Sequence, residues 1–549
     1  MTDTPETKTA ETAPLAPSAM GGYEGARRVG QELASWGAPI ASADSHITRE
    51  KHQMDARALD MQRNDGYVVG AINIRRDSIV GSQYTLNAQP DYEALGADEA
   101  WAEEFQRVVE SKFNLWAESP ECWPDAARLN TLTGLVRLAI TTHFTTGEVL
   151  ATVEWLRSAA ERRPFNTAIQ MIDVDRLSNP NGMSDTKYLR GGVERNQYGA
   201  PLAYHIRMSH PYNAMMAVDA DQFTWRRVAA RKNWGRQQVI HIFEQNRPDQ
   251  SRGVSDMVSV LKQMRMTKKF QDVVLQNAVL NATYAATIES ELPPEVVAEA
   301  LGAAGGDAEN PYTRYMNLLA GFAGGSRGLQ IDGTRIPHLF PGTKLNFKTA
   351  EAGTALGTGF EESLLRHISS ALGLSYEQFS RDYTKTNYSS ARASMLETWK
   401  AAQAIKKSVA DRFASIIYAL WLEEAINKGE IPLPGGAGPD FFYQGLNKEA
   451  LIRCEWLGAA RGQIDEKKET EAALMRIEGG LSTYEDEIGR SGKDFRRVFR
   501  QRAREDKLIE ELGLQIGKKA EIAAAEKAAE RAAAAKAENS DTDNEDDDL

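Results

Sequence analysis

Apolar residues recur at helical steps from about Arg49 onward. ALDMQR, a turn at Asn64-Asp65 and then YVVGAINIRRDSIVG predict a pair of helices. A third helix is predicted over Ala97–Glu118, where Trp101, Phe105, Val108, Val109 and Phe113 share one face, and a fourth over Leu132–Thr145. The pattern then turns β-rich or alternating. VLATVEWL, TAIQMIDVD, GGVERNQYGAPLAYHIRM and QVIHIF predict strands, the third folded back at Asn196-Gln197-Tyr198-Gly199.

Beyond Gly253 the chain returns to helix. Val254–Ser290 runs without Gly or Pro until Pro293-Pro294 ends it, and a Gly/Pro-rich insert of short apolar pieces follows over 295–345. Helix resumes at Glu361–Leu372, breaks at Gly373 and gives way to the polar loop SYEQFSRDYTKTNYS. A long amphipathic helix is predicted over Ala391–Asn427, with Met395, Trp399, Ala402, Ile405, Val409, Phe413, Ile416 and Leu420 as a core stripe. Helices over Glu466–Ile477 and Thr483–Leu512, an Ala/Glu/Lys stretch and an acidic tail complete the chain. The fold class is α+β and helix-rich.

Length and composition narrow the field. The 549 residues suffice for two to four packed units, and 42% hydrophobic with 26% charged residues is an ordinary globular balance. No apolar run approaches the roughly 18 residues needed to span a bilayer. The first residues show no basic-then-apolar leader, and two distant cysteines, Cys122 and Cys454, exclude a disulfide framework. A reducing, intracellular origin is the expectation. Net charge is −12, and DTDNEDDDL at 541–549 supplies six acids and no base, which leaves −6 over the other 540 residues. A basic domain that grips nucleic acid is therefore not visible.

Chemistry is sparse. GxxxxGK[ST], GxGxxG at a strand–helix junction and HExxH are all absent, and no histidines stand in ligand spacing. His143, His205 and His241 read as satisfied structural residues. Asp173 and Asp175 could hold Mg²⁺ in a nuclease, but the Arg176 and Ser-Asn-Pro-Asn-Gly that follow read as a turn. Gly324-Gly325-Ser326-Arg327-Gly328 fits GxSxG, yet its helix-then-strand context is the reverse of a nucleophile elbow. No catalytic residue, metal site or cofactor is assigned. The chain reads as a non-enzyme.

Several segments resemble the lambda-type portal family of tailed bacteriophages. ARALDMQRNDGYVVGAINIRRDSIVGS resembles its Arg-Asn helix pair, TTGEVLATVEW its Gly-Glu strand start, and IDVDRLSNP with GGVERNQYGAPLAYHI its Asp-Arg-Leu and Gly-Ile-Glu hairpin. VIHIFEQNRPDQSRGVSDMVSVL is similar to its His-Val-Phe and Gln-x-Arg-Gly-Val run. ALGLSYEQFSRDYTKTNYSSARASMLETWK and WLGAARGQIDEKKETEAALMRIEGGLST resemble two further signatures, with Glu466 standing where the family usually has Pro. The matches span about residues 46–515 in consistent order.

The resemblance implies a portal fold of wing, stem, clip and crown, assembled as a twelve-fold ring around a central channel. It implies a flexible arm over 1–45, a wing over 46–250, a stem helix over 251–290 and a clip over 291–345. A second stem helix over 346–374, a tunnel loop over 375–389 and a wing/crown helix over 390–430 follow. The chain then closes with C-terminal wing/crown helices over 431–517 and an Ala-rich helix with acidic tail over 518–549. The implied function is the virion vertex ring, assembled in the host cytoplasm, through which double-stranded DNA is packaged, retained and ejected. Partners would be eleven further copies, the terminase large subunit, head-completion or connector proteins, and the major capsid and scaffold proteins, with no membrane.

Within that scheme Arg381, Tyr383, Thr384, Lys385, Asn387 and Tyr388 are the residues expected to face DNA. Lys262, Arg265, Lys268 and Lys269 are expected at the subunit interface or the stem lumen. Another virion scaffold or ring adaptor, or a serine hydrolase using Ser326, are the rival readings.

Overall fold

The computed structural model describes residues 35–157, 162–211, 220–283, 329–331, 334–336, 357–460, 462 and 466–514. Residues 1–34 of the expected arm, most of the expected clip, Ser326 with its glycines, and the Ala-rich stretch with the acidic tail lie outside them.

Helices α1 (Ala43–Asn64) and α2 (Gly66–Ile79) form the predicted pair. Asp65 makes the break: its backbone N–H closes α1 on Met61, while its carboxylate accepts from the N–H groups of Tyr67 and Val68 to cap α2. Helix α3 (Glu99–Ala117) starts on an Asp98 cap, and α4 (Leu132–Thr146) on Thr131. Strands β1 (Thr85–Ala88), β2 (Glu148–Trp155) and β3 (Thr167–Met171) come next, with β4 (Leu189–Arg190), β5 (Val193–Arg195), β6 (Pro201–Arg207), β7 (Trp225–Ala229) and β8 (Val239–Phe243). They make two antiparallel sheets, ordered β3-β2-β8 and β4-β5-β6-β7. The Asp173–Asp175 end of TAIQMIDVD is not strand, because the Asp173 carboxylate takes the Asp175 N–H and turns the chain into a short 3-10 segment.

Helix α5 (Leu261–Thr283) lies beside α6 (Gly357–Ala371), tied by a Gln271–Glu361 hydrogen bond of 2.6 Å and an edge-on Phe270–Phe360 contact. Strands β9 (Leu329–Ile331) and β10 (Thr334–Ile336), paired antiparallel, are the described part of the intervening segment. The short helix α7 (Tyr376–Ser380) and then α8 (Tyr388–Ile405) follow.

The long predicted helix is continuous through α9 (Arg412–Asn427), but Lys406–Asp411 form a π turn. The wider turn shifts the buried face. Phe413, Ile417 and Trp421 are fully buried, whereas Ile416, on the predicted stripe, is only half-buried. Met395 is exposed and Trp399 half-buried, so the stripe is core only from Ala402 onward. Tyr84 donates to Asp411 inside this turn, Lys406 pairs with the same carboxylate at 2.8 Å, and Tyr84 stacks on Trp456.

Helix α10 (Asn447–Leu451) and β11 (Cys454–Leu457), which pairs with β1, precede α11 (Glu466–Glu478), α12 (Tyr484–Arg490) and α13 (Phe495–Glu511). The predicted Thr483–Leu512 helix is therefore two helices, divided at Gly492 in the left-handed region and restarted by an Asp494 cap.

One core joins α3, α4, the β3-β2-β8 sheet and α9 around Phe113, Trp116, Phe165, Tyr418 and Trp421. A second holds α1, α2, α5, α6 and α7 together through Met61, Ile72, Met264, Ile368 and Phe379. No helix among the described residues is long and apolar enough to cross a membrane.

Candidate functional site

The segment 375–389 is more structured than a free loop. Ser375 caps α7, Phe379 is buried against Tyr67 in a stacked pair, and the Ser394 hydroxyl donates to Glu377. What remains open is Arg381–Asn387. Arg381 ends α7 in the left-handed conformation (φ 61°), which points the chain away from the helix. Asn387 starts α8 by a reciprocal cap with Ser390.

The six expected DNA-facing residues divide accordingly. Arg381 and Tyr383 are exposed. Thr384 gives both its hydroxyl and its N–H to Asp382, and these bonds hold the Asp382 carboxyl below the ordinary carboxylate range. Lys385 is exposed but pairs with Glu362 of α6 at 2.6 Å, a hydrogen bond that raises its ammonium pKa. Asn387 is spent on its cap, and Tyr388 is the first residue of α8.

The four expected stem bases also divide. Lys262, Arg265 and Lys269 are exposed on α5. Lys268 is half-buried and donates to the backbone carbonyl of Asn64 at the end of α1, where a cation meets the negative end of the helix dipole.

Two motifs far apart in sequence meet below this assembly. Glu148, wholly buried at the start of β2, receives Arg252 at 2.6 Å, the Gly253 N–H at 2.9 Å, His241 at 2.9 Å and Lys51 at 3.4 Å. Arg252 also donates to the carbonyls of Leu177 and Gly191, each at 2.8 Å. Burial alone would raise the Glu148 carboxyl, but the charges of Arg252 and Lys51 and the His241 bond outweigh it and hold it well below the ordinary range. Beside it Asp55, bonded to Lys51, is raised to about 7, first by burial and further by the Glu148 charge. Asp44 fastens the same segment through the Ser251 N–H and hydroxyl. The knot ties α1, β2 and β8 to the segment that leads into α5.

Asp175 lies 3.6 Å from His52 and 3.5 Å from His210, and Asp173, Asp175 and His210 bring ligand atoms within 4.8 Å of one another. His210 was not foreseen there. Asp173 already serves as a turn cap, and Asp175 stands beside the two imidazoles without a third acidic neighbour in that group among the described residues.

Sequence reasoning also passed over α13. FRRVFRQRAREDK lies within a predicted helix, and its arginines at steps of four mark a basic face. That face borders a cleft of about 1010 Å³ against α3 and β1.

Residues 29–406 match the family described as phage portal protein, lambda family. Portal protein B of Escherichia phage lambda is 37% identical over 486 residues, which cover 88% of this chain and 89% of that one. The portal protein of Escherichia phage N15 is 36% identical over the same length and shares. A probable portal protein of Halomonas phage phiHAP-1 is 23% identical over 480 residues, 86% of this chain and 83% of that one. Among solved structures, the neck of an empty gene transfer agent particle overlaps at TM-score 0.38 and 12% identity, covering 78% of this chain and 92% of that one.

Proposed function

The chain belongs to the lambda family of phage portal proteins, and from that premise we propose how it carries out a portal's function in the virion. It closes into a ring of twelve at one capsid vertex, with α5 and α6 as the stem and the segment between them as the clip. The observation that carries this reading is the α5–α6 pair, rooted in the Glu148 knot and followed directly by the braced Arg381–Asn387 turn. Twelve helices about 10 Å across need a circumference of about 120 Å, which leaves an opening of a little under about 30 Å, wide enough for a B-form duplex.

The turn is then the channel contact. Arg381 and Tyr383 meet the passing duplex first, and Lys385 joins them on leaving Glu362. Contacts to phosphate position a duplex without reading sequence, as a conduit requires. Lys262, Arg265 and Lys269 serve neighbouring copies or the lumen. Terminase docks on the clip, and connector proteins replace it after packaging. The family is structural, and the energy for DNA movement comes from the motor.

Exposed apolar side chains support assembly. Met475 of α11 and Leu508 of α13, with Leu481 and Leu512 in the turns beside those helices, are each more than half exposed, apolar surface that a neighbouring copy would cover. Imaging and native mass spectrometry of the purified chain test the proposal. Closed rings with a central hole are expected, and a folded chain that stays monomeric at micromolar concentration would overturn it.

A further inference from the structure

Helix α13 gathers five of its six cations on one side, and the sixth, Arg502, pairs with Asp506 on the other. At about 100° of rotation per residue, Arg496, Arg497, Arg500, Arg504 and Lys507 fall within an arc of about 100°, with Phe495, Val498, Phe499 and Ile509 opposite. Glu511, in the last turn, is the one acid inside that arc. The first turn holds Arg496 and Arg497 and no acid, the reverse of what the helix dipole favours. Arg496 reaches Glu103 at 3.7 Å. Arg497, Arg500, Arg504 and Lys507 are exposed and have no carboxylate within salt-bridge distance among the described residues.

A row of unpaired arginines in a chain of net charge −12 calls for an anion. Left open, such a row on every copy of a ring would hold phosphates tightly and in a salt-dependent way, the opposite of what a conduit needs. The same chain carries the complement. Residues 541–549 hold six acids and no base, and 26 residues separate them from Leu514. Twenty-six residues span about 28 Å root-mean-square as a flexible coil and about 39 Å as a continuous helix, and the 17-residue α13 is about 25 Å long. Either reach exceeds the length of α13, so the tail can arrive at the face of its own copy or of an adjoining one.

We propose that the acidic tail, residues 541–549, docks on the arginine face of α13, in its own or an adjoining copy, and screens that face from DNA. The contact rests on the portal reading only in naming DNA as the anion kept away.

The test uses the full chain, a chain lacking 541–549, and Arg497→Gln/Arg500→Gln/Arg504→Gln in both backgrounds. All three positions are exposed, so unchanged thermal melting should accompany the substitutions. The probes are a labelled short DNA duplex and a labelled peptide of residues 539–549, each followed by fluorescence anisotropy at low salt. Removing the tail should tighten duplex binding by about tenfold or more. The peptide should bind the shortened chain, be released by salt, and compete with the duplex, and the Gln variant should lose both gains. Unchanged duplex affinity on removing the tail would overturn the proposal. So would a Gln variant that weakens duplex binding equally with and without the tail, since the face would then belong to DNA alone. A chain that makes no rings yet shows the tail effect would leave this contact standing and the portal reading refuted.

Discussion

Gly147 and Gly253 meet so closely that a Cβ built on Gly253 would sit 2.2 Å from the Gly147 carbonyl oxygen. A Cβ on Gly147 would in turn lie 2.1 Å from the Val254 carbonyl carbon. Gly147 ends α4 in the left-handed region (φ 78°), and Gly253 lies in the segment that leads into α5. The two glycines let the backbones touch, which places Glu148 and Arg252, one residue further along and one before, in register for their ion pair.

Gly253→Ala should therefore cost about 3 kcal/mol or more, since both neighbours are backbone and cannot rotate away. Gly66, the first residue of α2, has nothing within 4 Å of a built Cβ, and Gly66→Ala should be neutral or stabilise by up to about 1 kcal/mol. Thermal melts of the two variants check the contrast. Equal effects would mean that the close approach is not rigid.

Glu148→Gln removes one charge from a buried set of four partners. Arg252 and Lys51 would then be buried with too little negative charge, a loss of about 3–5 kcal/mol. The Glu148 carboxyl is held low in the fold, so its contribution is present above the ordinary carboxylate range and lost as pH falls through its lowered value. The variant should lose most of its deficit relative to the parent only at strongly acid pH. Chemical denaturation at several pH values reads this directly.

Asp55 runs the other way. Its carboxyl is raised from 3.8 to about 7 in the fold, so its contribution is full below about pH 4 and is lost as pH climbs to 7. At pH 8 the buried carboxylate is a liability on the order of 4 kcal/mol. Asp55→Asn should raise the melting temperature at pH 8 and change it little at pH 5. Destabilisation at pH 8 would show that the ion pair with Lys51 outweighs burial.

The helices and strands were legible because their periodicity is local. Trp101–Phe113 and the Asn64-Asp65 break read correctly from spacing and caps alone. The π turn at Lys406–Asp411 was not legible, because its cause is tertiary: Asp411 is held from outside the helix by Tyr84, 327 residues away in sequence. The Gly-Glu and Arg-Gly-Val motifs were visible as a resemblance, but nothing in either segment says that they touch. The loop over 375–389 looked uniformly polar, and only the folded chain separates residues that hold the turn from residues that face outward. The arginine face of α13 is legible at steps of four, but the six acids of 541–549 mask it in the net charge.

The turn at Arg381–Asn387 yields a prediction in which neighbouring residues should behave differently. Asn387→Ala deletes a reciprocal cap and should cost about 1 kcal/mol of stability, while Arg381→Ala and Tyr383→Ala should leave melting unchanged because both side chains are exposed and bound to nothing in the described chain. Their effect should appear in DNA handling. In the proposed ring of twelve, weak contacts each screened by salt would slow or retain a duplex without locking it. Arg381→Ala combined with Lys385→Ala should therefore keep ring assembly intact and produce heads that fill incompletely or leak their genome. Glu362→Gln, which frees Lys385 from its partner, should act in the opposite sense and strengthen retention. Packaging and retention assays on heads built with each variant decide the matter. A double variant that fails to assemble would make the turn structural. One that packages and retains like the parent, with Glu362→Gln equally silent, would remove the turn from the channel.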